Sequence, residues 1–176
     1  MSGHTDYEWL GLLMVSEDVN PVAWPAIGCV VINRASHQRW PNTIREVVLQ
    51  AQQFSYFNAF AGAGLDPDEI YLAATIGTIP AGGIHAAQVR VRRLGTSLLP
   101  EANACADWLV RARPWERPLG RDACFMYAPR SMVPTGSKPW WWDEESMLER
   151  GRSGPGEAFQ TITLPHLPDW RFGTVR

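Results

Sequence analysis

Two adjacent carboxylates, Glu17 and Asp18, stand within a stretch of sequence that is otherwise mostly apolar, LLMVSEDVNPVAWPAIGCVVINR. A carboxylic acid whose pKa is raised by apolar surroundings can protonate the leaving oxygen of a glycosidic bond. Glu17 suits this chemistry, because it ends an apolar segment and is flanked by Val15 and Val19. The alternative interpretation is a helix end whose acids face water.

The two acids cannot act together as a catalytic pair. Consecutive residues of a helix project about 100° apart, whereas a catalytic acid and a nucleophile must flank the scissile bond from opposite sides. We therefore expect Glu17 to be the catalytic acid. Asp18, which has the shorter side chain, is the weaker candidate.

The composition is that of a single globular domain spanning residues 1–176. Apolar residues make up 45% of the chain and charged residues 19%, which supports a substantial core. The net charge of -2 gives no general electrostatic reason to expect nucleic-acid binding. The three cysteines and four histidines are scattered without metal-ligand spacing, so we expect free thiols, no metal and no cofactor.

The N-terminal sequence MSGHTDYEWLGLLMV has neither the basic leader nor the long apolar stretch of a secretory signal. No run of about eighteen apolar residues occurs elsewhere, so no membrane span is predicted. We expect the chain to be synthesised in the cytoplasm without a signal peptide.

The helix that carries Glu17 can be predicted from its cap and its apolar stripe. Thr5 and Glu8 have the spacing of a capping box, in which the glutamate reaches back to the start of the helix. The apolar residues that follow recur at helical spacing, so the predicted helix runs from Asp6 to Glu17.

The next helix has two possible starts. Asn20 and Pro21 are residue types preferred at an N-cap and at the first helical position, but Pro25 would distort the first turn of such a helix. The helix therefore starts either at Pro21 with a distorted turn or near Trp24. Its residues up to Ile32 are nearly all apolar or small, which predicts burial on most sides.

The rest of the chain is predicted to be helical at first and irregular later. Thr43 and Glu46 have the spacing of another capped helix, while the aromatic, Gly-rich stretch QFSYFNAFAGAGLDP predicts a loop or a short hairpin. From about Pro114 prolines are frequent, which predicts irregular structure with short strands. Further helices are predicted over about Pro67–Gly77, Ile84–Arg93 and Glu101–Arg111. The predicted fold class is mainly α (α+β), with a loop-rich C-terminal third.

Several short motifs follow one another in a recognisable order. A glutamate ends the first helix, an Asn-Arg pair ends the second, and a Trp-Pro-Asn-Thr loop, a Val-Val pair and a Gln-Phe-Ser element come next; the later segment DACFMYAPRSMVPTGSKPWW completes the set. This order resembles the SleB-like cell-wall hydrolase family, named for the spore-cortex lytic enzyme, over residues 6–142. The matching residues are Glu17, Asn33, Arg34, Trp40, Pro41, Asn42, Thr43, Val47, Val48, Gln53, Phe54, Ser55, Ala123, Tyr127, Ala128, Pro129, Pro139 and Trp140.

The resemblance implies a lysozyme-like, lytic-transglycosylase-like fold that acts on the glycan strands of peptidoglycan. In this family one glutamate, here Glu17, is thought to protonate the oxygen between N-acetylmuramic acid and N-acetylglucosamine. The same carboxylate then takes the proton of the muramic 6-hydroxyl, which closes on the anomeric carbon and gives a 1,6-anhydro sugar without water. Asn33 and Arg34 are expected to cap and brace the buried helix.

Five residues of these motifs and their neighbourhood are candidates for contacting the sugars. Gln53 and Ser55 would hydrogen-bond the substrate or orient the glutamate; the alternative is a turn that satisfies its own backbone. Tyr127 would donate to the N-acetyl carbonyl or the reacting ring, and Tyr56 would line the cleft, with core packing as the alternative for both. Trp140 would stack on an apolar sugar face.

Three functions remain open at this point: a lytic transglycosylase, a hydrolytic muramidase, and a structural component of a virion or secretion apparatus with a lysozyme-like fold and little activity. A wall-degrading enzyme without its own signal needs a carrier, so we expect a phage-type protein, attached to a tail or released through a holin. Residues 143–176 form a C-terminal extension that either docks on a tail or baseplate protein or covers the core.

Overall fold

The structure, a computed structural model, describes residues 3–51, 53–60, 63–78, 96–121, 123–127, 159–162, 164–168 and 170–175. These residues form a mainly helical protein with one small sheet, which confirms the predicted fold class and is consistent with a lysozyme-like fold. The helices are α1 (Asp6–Glu17), α2 (Trp24–Ala35), α3 (Ile44–Leu49), α4 (Ser55–Asn58), α5 (Pro67–Thr75) and α6 (Thr96–Arg111). A 3-10 helix (Pro114–Glu116) and the strands β1 (Ala123–Tyr127), β2 (Phe159–Ile162) and β3 (Arg171–Val175) follow.

Helix α1 has the predicted bounds and lies at the centre of the core. At its start, the Glu8 carboxylate accepts hydrogen bonds from the backbone N–H of Thr5 at 2.7 Å and from its hydroxyl at 2.8 Å. Every residue from 9 to 16 is buried. A Cβ atom at Gly11 would overlap Oδ1 of Asn103 and lie 3.0 Å from the Asn103 backbone nitrogen, so glycine lets α6 pack closely against α1.

Helix α2 takes the later of its two predicted starts. It begins at Trp24, with Pro25 in its first turn, where a missing N–H breaks no helical hydrogen bond. Residues 26–34 are all buried, as the run of small and aliphatic residues predicts. The buried part of the helix reaches Arg34, one residue before its end, so the polar side chains of Asn33 and Arg34 must find partners inside the protein.

The prediction for the aromatic, Gly-rich stretch was wrong in part, because it contains the one-turn helix α4. Tyr56 and Phe57 are buried in the core, and the backbone N–H of Asn58 donates to the carbonyl of Phe54 at 3.0 Å. Tertiary packing of these rings outweighs the local preference for a loop.

Other helix predictions differ in their bounds. Helix α6 begins at Thr96 rather than near Glu101 and includes Pro100. Helix α5 ends at Thr75 rather than at Gly77. The helix predicted over Ile84–Arg93 lies outside the described residues.

The sheet has the order β1-β3-β2 with antiparallel pairing throughout. Ala123 pairs with Thr174 and Phe125 with Gly173, so the register shifts and Cys124 is an extra residue in β1, a β-bulge. The predicted short strands of the C-terminal third are thereby confirmed.

The described part of the C-terminal extension packs on the helical core. Leu167, Trp170 and Phe172 are buried members of the same hydrophobic cluster as α1 and α2. These three residues therefore help to cover the core. Within the described residues, no helix combines the length and the apolar character needed to cross a membrane.

Candidate active site

Glu17 is the point at which α1 leaves the core. It is the last residue of the helix and half-buried, whereas the residues before it, from 9 to 16, are fully buried. The sequence pattern of an apolar helix closed by an acid therefore places this carboxylate at the boundary between core and surface. A carboxyl group in that position is partly shielded from water and can still meet a ligand.

Asp18, in contrast, makes hydrogen bonds that stabilise the fold. One carboxylate oxygen accepts from the Asn20 backbone N–H at 2.9 Å, and the other accepts from the Trp170 indole at 3.2 Å. The Asp18 carbonyl accepts from the Trp24 indole at 2.7 Å. Asp18 thus joins the end of α1 to the start of α2 and to the C-terminal segment. The two neighbouring acids are used differently, but not because of the angle between helical residues: Asp18 follows the last residue of α1, and its backbone is extended, with φ -150° and ψ 138°.

The last turn of α2 is fastened to β1 by two side chains. Nδ2 of Asn33 donates to the Ala123 carbonyl at 3.0 Å, and Nε of Arg34 donates to the Cys124 carbonyl at 2.6 Å. Cys124 is the bulge residue, so its backbone departs from the regular ladder and its carbonyl serves α2. The expectation that Asn33 and Arg34 brace the buried helix is confirmed.

The Arg34 guanidinium is buried between two aromatic rings. Its residue exposure is only 5%, and Cζ lies 5.4 Å from the centre of the Phe54 ring and 5.9 Å from that of Trp40. Both distances are in the range of cation–π contacts. The rings limit the ways in which the guanidinium can turn, so its charge is held in place.

This charge acts on Glu17. Burial lowers the pKa of Arg34 to about 10, while the charges that Cys124 and Glu17 can carry act in the opposite direction. The Glu17 carboxylate is therefore within electrostatic reach of Arg34, and the guanidinium stays charged at neutral pH. Cys124 of β1 and the rings of Phe54 and Trp40 surround this buried cation near the end of α2.

One donor of Arg34 is unused. Nη1 is buried and has no hydrogen-bond partner. Leaving a buried charged donor unpaired costs more than the roughly 1–3 kcal/mol typical of a neutral group. Such a group in a folded protein calls for an explanation other than bracing, because the brace uses Nε alone.

The structure describes the residues expected to contact sugars to different extents. Gln53 is half-buried in the turn between α3 and α4, and its backbone N–H donates to the Gln50 carbonyl at 3.3 Å. Ser55 is the first residue of α4 and Tyr127 the last of β1; the side chains of both, and Trp140 as a whole, lie outside what the structure describes. Phe54, next to Gln53 and Ser55, places their segment beside Arg34.

Tyr56 lies in the core. The residue has no exposed surface, and its hydroxyl donates to the Ala74 carbonyl at 2.6 Å. Its ring contacts Phe57 and Phe60. This placement favours the core alternative for Tyr56 over a contact with substrate.

Arg34 is the residue near Glu17 whose importance the sequence analysis missed. A basic residue near the end of a helix that is apolar or small up to Ile32 was the available signal, because a charged residue is rarely buried unless it has a partner. Its partner carbonyl at Cys124 is 90 residues away, so sequence spacing could not show the contact.

Comparison with models of protein families gives a match to the cell wall hydrolase family over residues 22–151. The match covers well over half of the 176 residues. The chain belongs to this family. It is therefore a wall-degrading enzyme, and its substrate is peptidoglycan. Searches among curated proteins and among solved structures found no match.

The family match includes only part of the candidate active site. The matched region contains Arg34, Trp40, Phe54 and β1, but it begins at Val22, after Glu17. Membership of the cell wall hydrolase family accordingly supports the substrate and the architecture around Arg34. A role for Glu17 must be argued from the chemistry and the geometry.

Proposed function

We propose that this cell wall hydrolase is a lytic transglycosylase of the spore-cortex lytic enzyme type, with Glu17 as its general acid and base. Protonated Glu17 donates its proton to the oxygen between N-acetylmuramic acid and N-acetylglucosamine, and the bond from that oxygen to the muramic anomeric carbon breaks. The Glu17 carboxylate then takes the proton of the muramic 6-hydroxyl as its oxygen bonds to the anomeric carbon. The proton returns to Glu17, no water is consumed, and the product is a 1,6-anhydro sugar.

The observation that carries this proposal is the contrast between the two acids at the end of α1. Asp18 uses both carboxylate oxygens for hydrogen bonds that hold the fold, whereas Glu17 stands half-buried at the edge of the core, within reach of the Arg34 charge. Because Asp18 is engaged, it does not supply the second carboxylate of a hydrolytic pair, and a mechanism with one carboxylate suits the site best.

The turn that contains Gln53 and Ser55 supplies the proposed sugar contacts on one side of the site. It is anchored by Phe54, which packs in the core against the Arg34 guanidinium. Tyr127 and Trp140 are proposed to contact the sugar from the far end of β1 and from the segment after it. Aromatic plates and hydrogen-bonding side chains are the groups that recognise sugar rings.

The test is product analysis on purified peptidoglycan. The chain is incubated with sacculi, and the released muropeptides are separated and weighed by mass spectrometry. A transglycosylase gives muropeptides with anhydro ends, which are lighter by one water than hydrolysed ends. Glu17→Gln should abolish the release of muropeptides of either kind. Products that carry reducing muramic acid would identify a hydrolytic muramidase instead. Intact sacculi with a folded wild-type chain would favour the structural component with little activity.

For delivery, we infer a phage-type protein, with attachment to a tail or baseplate slightly preferred over release as a free endolysin. The three cysteines are free thiols, two of them buried, which suits folding in a reducing compartment before delivery. Peptide mass spectrometry of purified particles should detect the chain if it is a tail component. Lysis that depends on a co-expressed holin would identify the endolysin, and lysis without one would contradict both routes.

A further inference from the structure

Two tryptophan side chains at and after the end of α6 are exposed to solvent. Trp115, in the 3-10 helix, is 70% exposed, and Trp108 of α6 is 49% exposed. Among the other described tryptophans, Trp9, Trp24 and Trp170 are buried in the core. A large ring left in water forgoes the free energy that its burial would provide, and exposed tryptophans beside arginines are typical of binding surfaces. The proposed cleavage mechanism uses neither of the two exposed rings.

The segment that carries the more exposed ring is held in place by hydrogen bonds. The Arg117 guanidinium reaches back to α6, where Nε donates to the Leu109 carbonyl at 3.1 Å and Nη2 to the Ala112 carbonyl at 2.9 Å. The Glu116 carboxylate accepts from the Arg113 backbone N–H at 2.7 Å. Because the segment is already ordered, a ligand binds it without the entropic cost of fixing a loop.

Arg113 covers one face of the Trp115 ring and leaves the other face open. The guanidinium carbon lies 5.4 Å from the ring centre, which is in the range of cation–π contacts. Because the residue is nevertheless 70% exposed, the opposite face of the indole is accessible. An open aromatic face beside a positive charge suits a ligand that has both an apolar face and a negative charge.

The charge of this segment is opposite in sign to that of the whole chain. Residues 107–121 contain four arginines and two acids, a net charge of +2, whereas the whole chain has a net charge of -2. Arg111 pairs with Asp107 at 2.8 Å, but Arg113 is exposed and faces the Trp115 ring. Peptidoglycan combines sugar rings, which have apolar faces, with peptide stems that carry free carboxylates. The segment is therefore complementary to the polymer on which this family acts.

We propose that Trp115 and Arg113 form a wall-binding surface. A sugar ring of peptidoglycan stacks on the open face of the indole, and the guanidinium pairs with a carboxylate of a peptide stem. No bond is broken at this surface; a second contact with the same polymer keeps the enzyme on the wall between cleavage events. The inference uses the substrate of the cell wall hydrolase family and does not depend on the role of Glu17.

The first experiment measures binding of the full chain to purified sacculi by sedimentation on ice, with the supernatant analysed for muropeptides to show that the sacculi stay intact. We expect Trp115→Ala to raise the apparent Kd by roughly three- to tenfold. Leu72→Ala is the matched control, because it removes an apolar side chain of α5 that is 60% exposed, and it should leave the Kd unchanged. Equal losses with both variants would mean non-specific adsorption and overturn the proposal.

The role of the charge is tested by Arg113→Gln in the same assay. This variant should raise the Kd by roughly two- to threefold, because an exposed ion pair contributes little. Arg45→Gln, which removes an exposed arginine of α3, is the control for overall charge and should have no effect. If both variants weaken binding equally, the guanidinium of Arg113 makes no specific contact with the wall and this part of the proposal is wrong.

A measurement on the wild-type chain tests the sugar contact directly. The indole N–H resonance of Trp115, identified by its absence from the NMR spectrum of Trp115→Phe, should shift as glycan strands freed of their peptide stems by an amidase are added. The indole resonance of Trp9, which is fully buried, should not move. A Trp115 resonance that does not respond to the strands, together with an unchanged Kd for Trp115→Ala, overturns the proposal and leaves a protein as the ligand of this surface.

Discussion

At the ends of both α1 and α2, consecutive polar residues lie next to the hydrophobic core, and the two ends place these residues differently. Each helix finishes on two consecutive polar residues, Glu17 and Asp18 after α1's apolar run and Asn33 and Arg34 in the last full turn of α2. In each pair one residue has its hydrogen bonds satisfied: Asp18 binds Asn20 and Trp170, and Asn33 binds the Ala123 carbonyl. The other residue of each pair is a charged group near the core: Glu17 is a half-buried carboxylate, and Arg34 is a buried guanidinium whose Nη1 has no hydrogen-bond partner.

The difference between the two ends lies in where Glu17 and Arg34 stand. Glu17 lies at the edge of the core, where it can meet a ligand, whereas Arg34 is buried inside. Residue type therefore does not separate structural from functional groups at these helix ends. What separates them is the surroundings of each side chain, and each of the following substitutions tests one of the two ends.

The largest expected effect is on Glu17, the half-buried carboxylate at the edge of the core. Glu17→Gln keeps the shape of the side chain but cannot carry a proton, so we expect muropeptide release to fall by about 10²–10⁴-fold, with the melting temperature unchanged. The measurement is the initial rate of release from sacculi together with a thermal scan. Retention of more than about a third of the activity would mean that Glu17 is not the general acid.

Asn33, the satisfied residue at the buried end, should show the opposite pattern. Asn33→Ala removes a buried hydrogen bond and leaves the Ala123 carbonyl without its donor, so the free energy of unfolding should fall by roughly 1–3 kcal/mol. The rate per folded molecule should stay near that of the wild type. Urea denaturation followed by the same muropeptide assay checks both points, and a selective loss of rate would place Asn33 among the functional residues.

Asp18 should behave like Asn33, with a smaller effect because it is less buried. Asp18→Asn offers one carboxamide oxygen where two carboxylate oxygens now accept, so one hydrogen bond is lost at a cost of about 1 kcal/mol. A double-mutant cycle with Trp170→Phe isolates the contact between residue 18 and the C-terminal segment. Strictly additive effects would show that the Asp18–Trp170 bond contributes nothing to stability, and a large loss of activity would reverse the roles of the two acids.

The smallest effect concerns the other glutamate of α1, Glu8, which is satisfied by Thr5. The backbone N–H of Thr5 lowers the pKa of Glu8, against the opposing effect of burial. A lowered pKa stabilises the fold above the pKa of the unfolded chain, and this stability is lost as the pH falls through the folded pKa. Glu8→Gln should thus destabilise by roughly 0.5 kcal/mol at neutral pH, with activity intact.

The pH dependence of this variant provides its check. Thermal scans of wild type and Glu8→Gln should differ at neutral pH and converge in acid, once Glu8 is protonated in both the folded and the unfolded chain. A difference that persists unchanged in acid would mean that the charge of the Glu8 carboxylate is not what stabilises the start of α1.

Local signals in the sequence were sufficient for much of the helical half. The capping residues Thr5 and Thr43 mark the starts of α1 and α3, and the apolar run marks the burial of α2. These features depend on neighbours within one or two turns, which is the range over which sequence spacing fixes geometry.

What the sequence could not show depends on distant partners. Helix α4 exists because its aromatic rings fill the core, which outweighs a local preference for a loop. Arg34 is buried because the bulge at Cys124 offers a carbonyl and two rings enclose the charge. The indole of Trp170 reaches Asp18 from 152 residues away. None of these contacts produces a repeating pattern in the sequence from which it could be predicted.

The strand order has a consequence for the synthesis of the enzyme. β3 lies between β1 and β2, although it is the last of the described strands along the chain. Until residues 171–175 leave the ribosome, β1 lacks the strand against which its bulge is formed, and the bulge carbonyl that holds Arg34 has no fixed position. The helical core can assemble earlier, but the carbonyl that holds Arg34 takes its position only after residues 171–175 have been synthesised and have paired with β1.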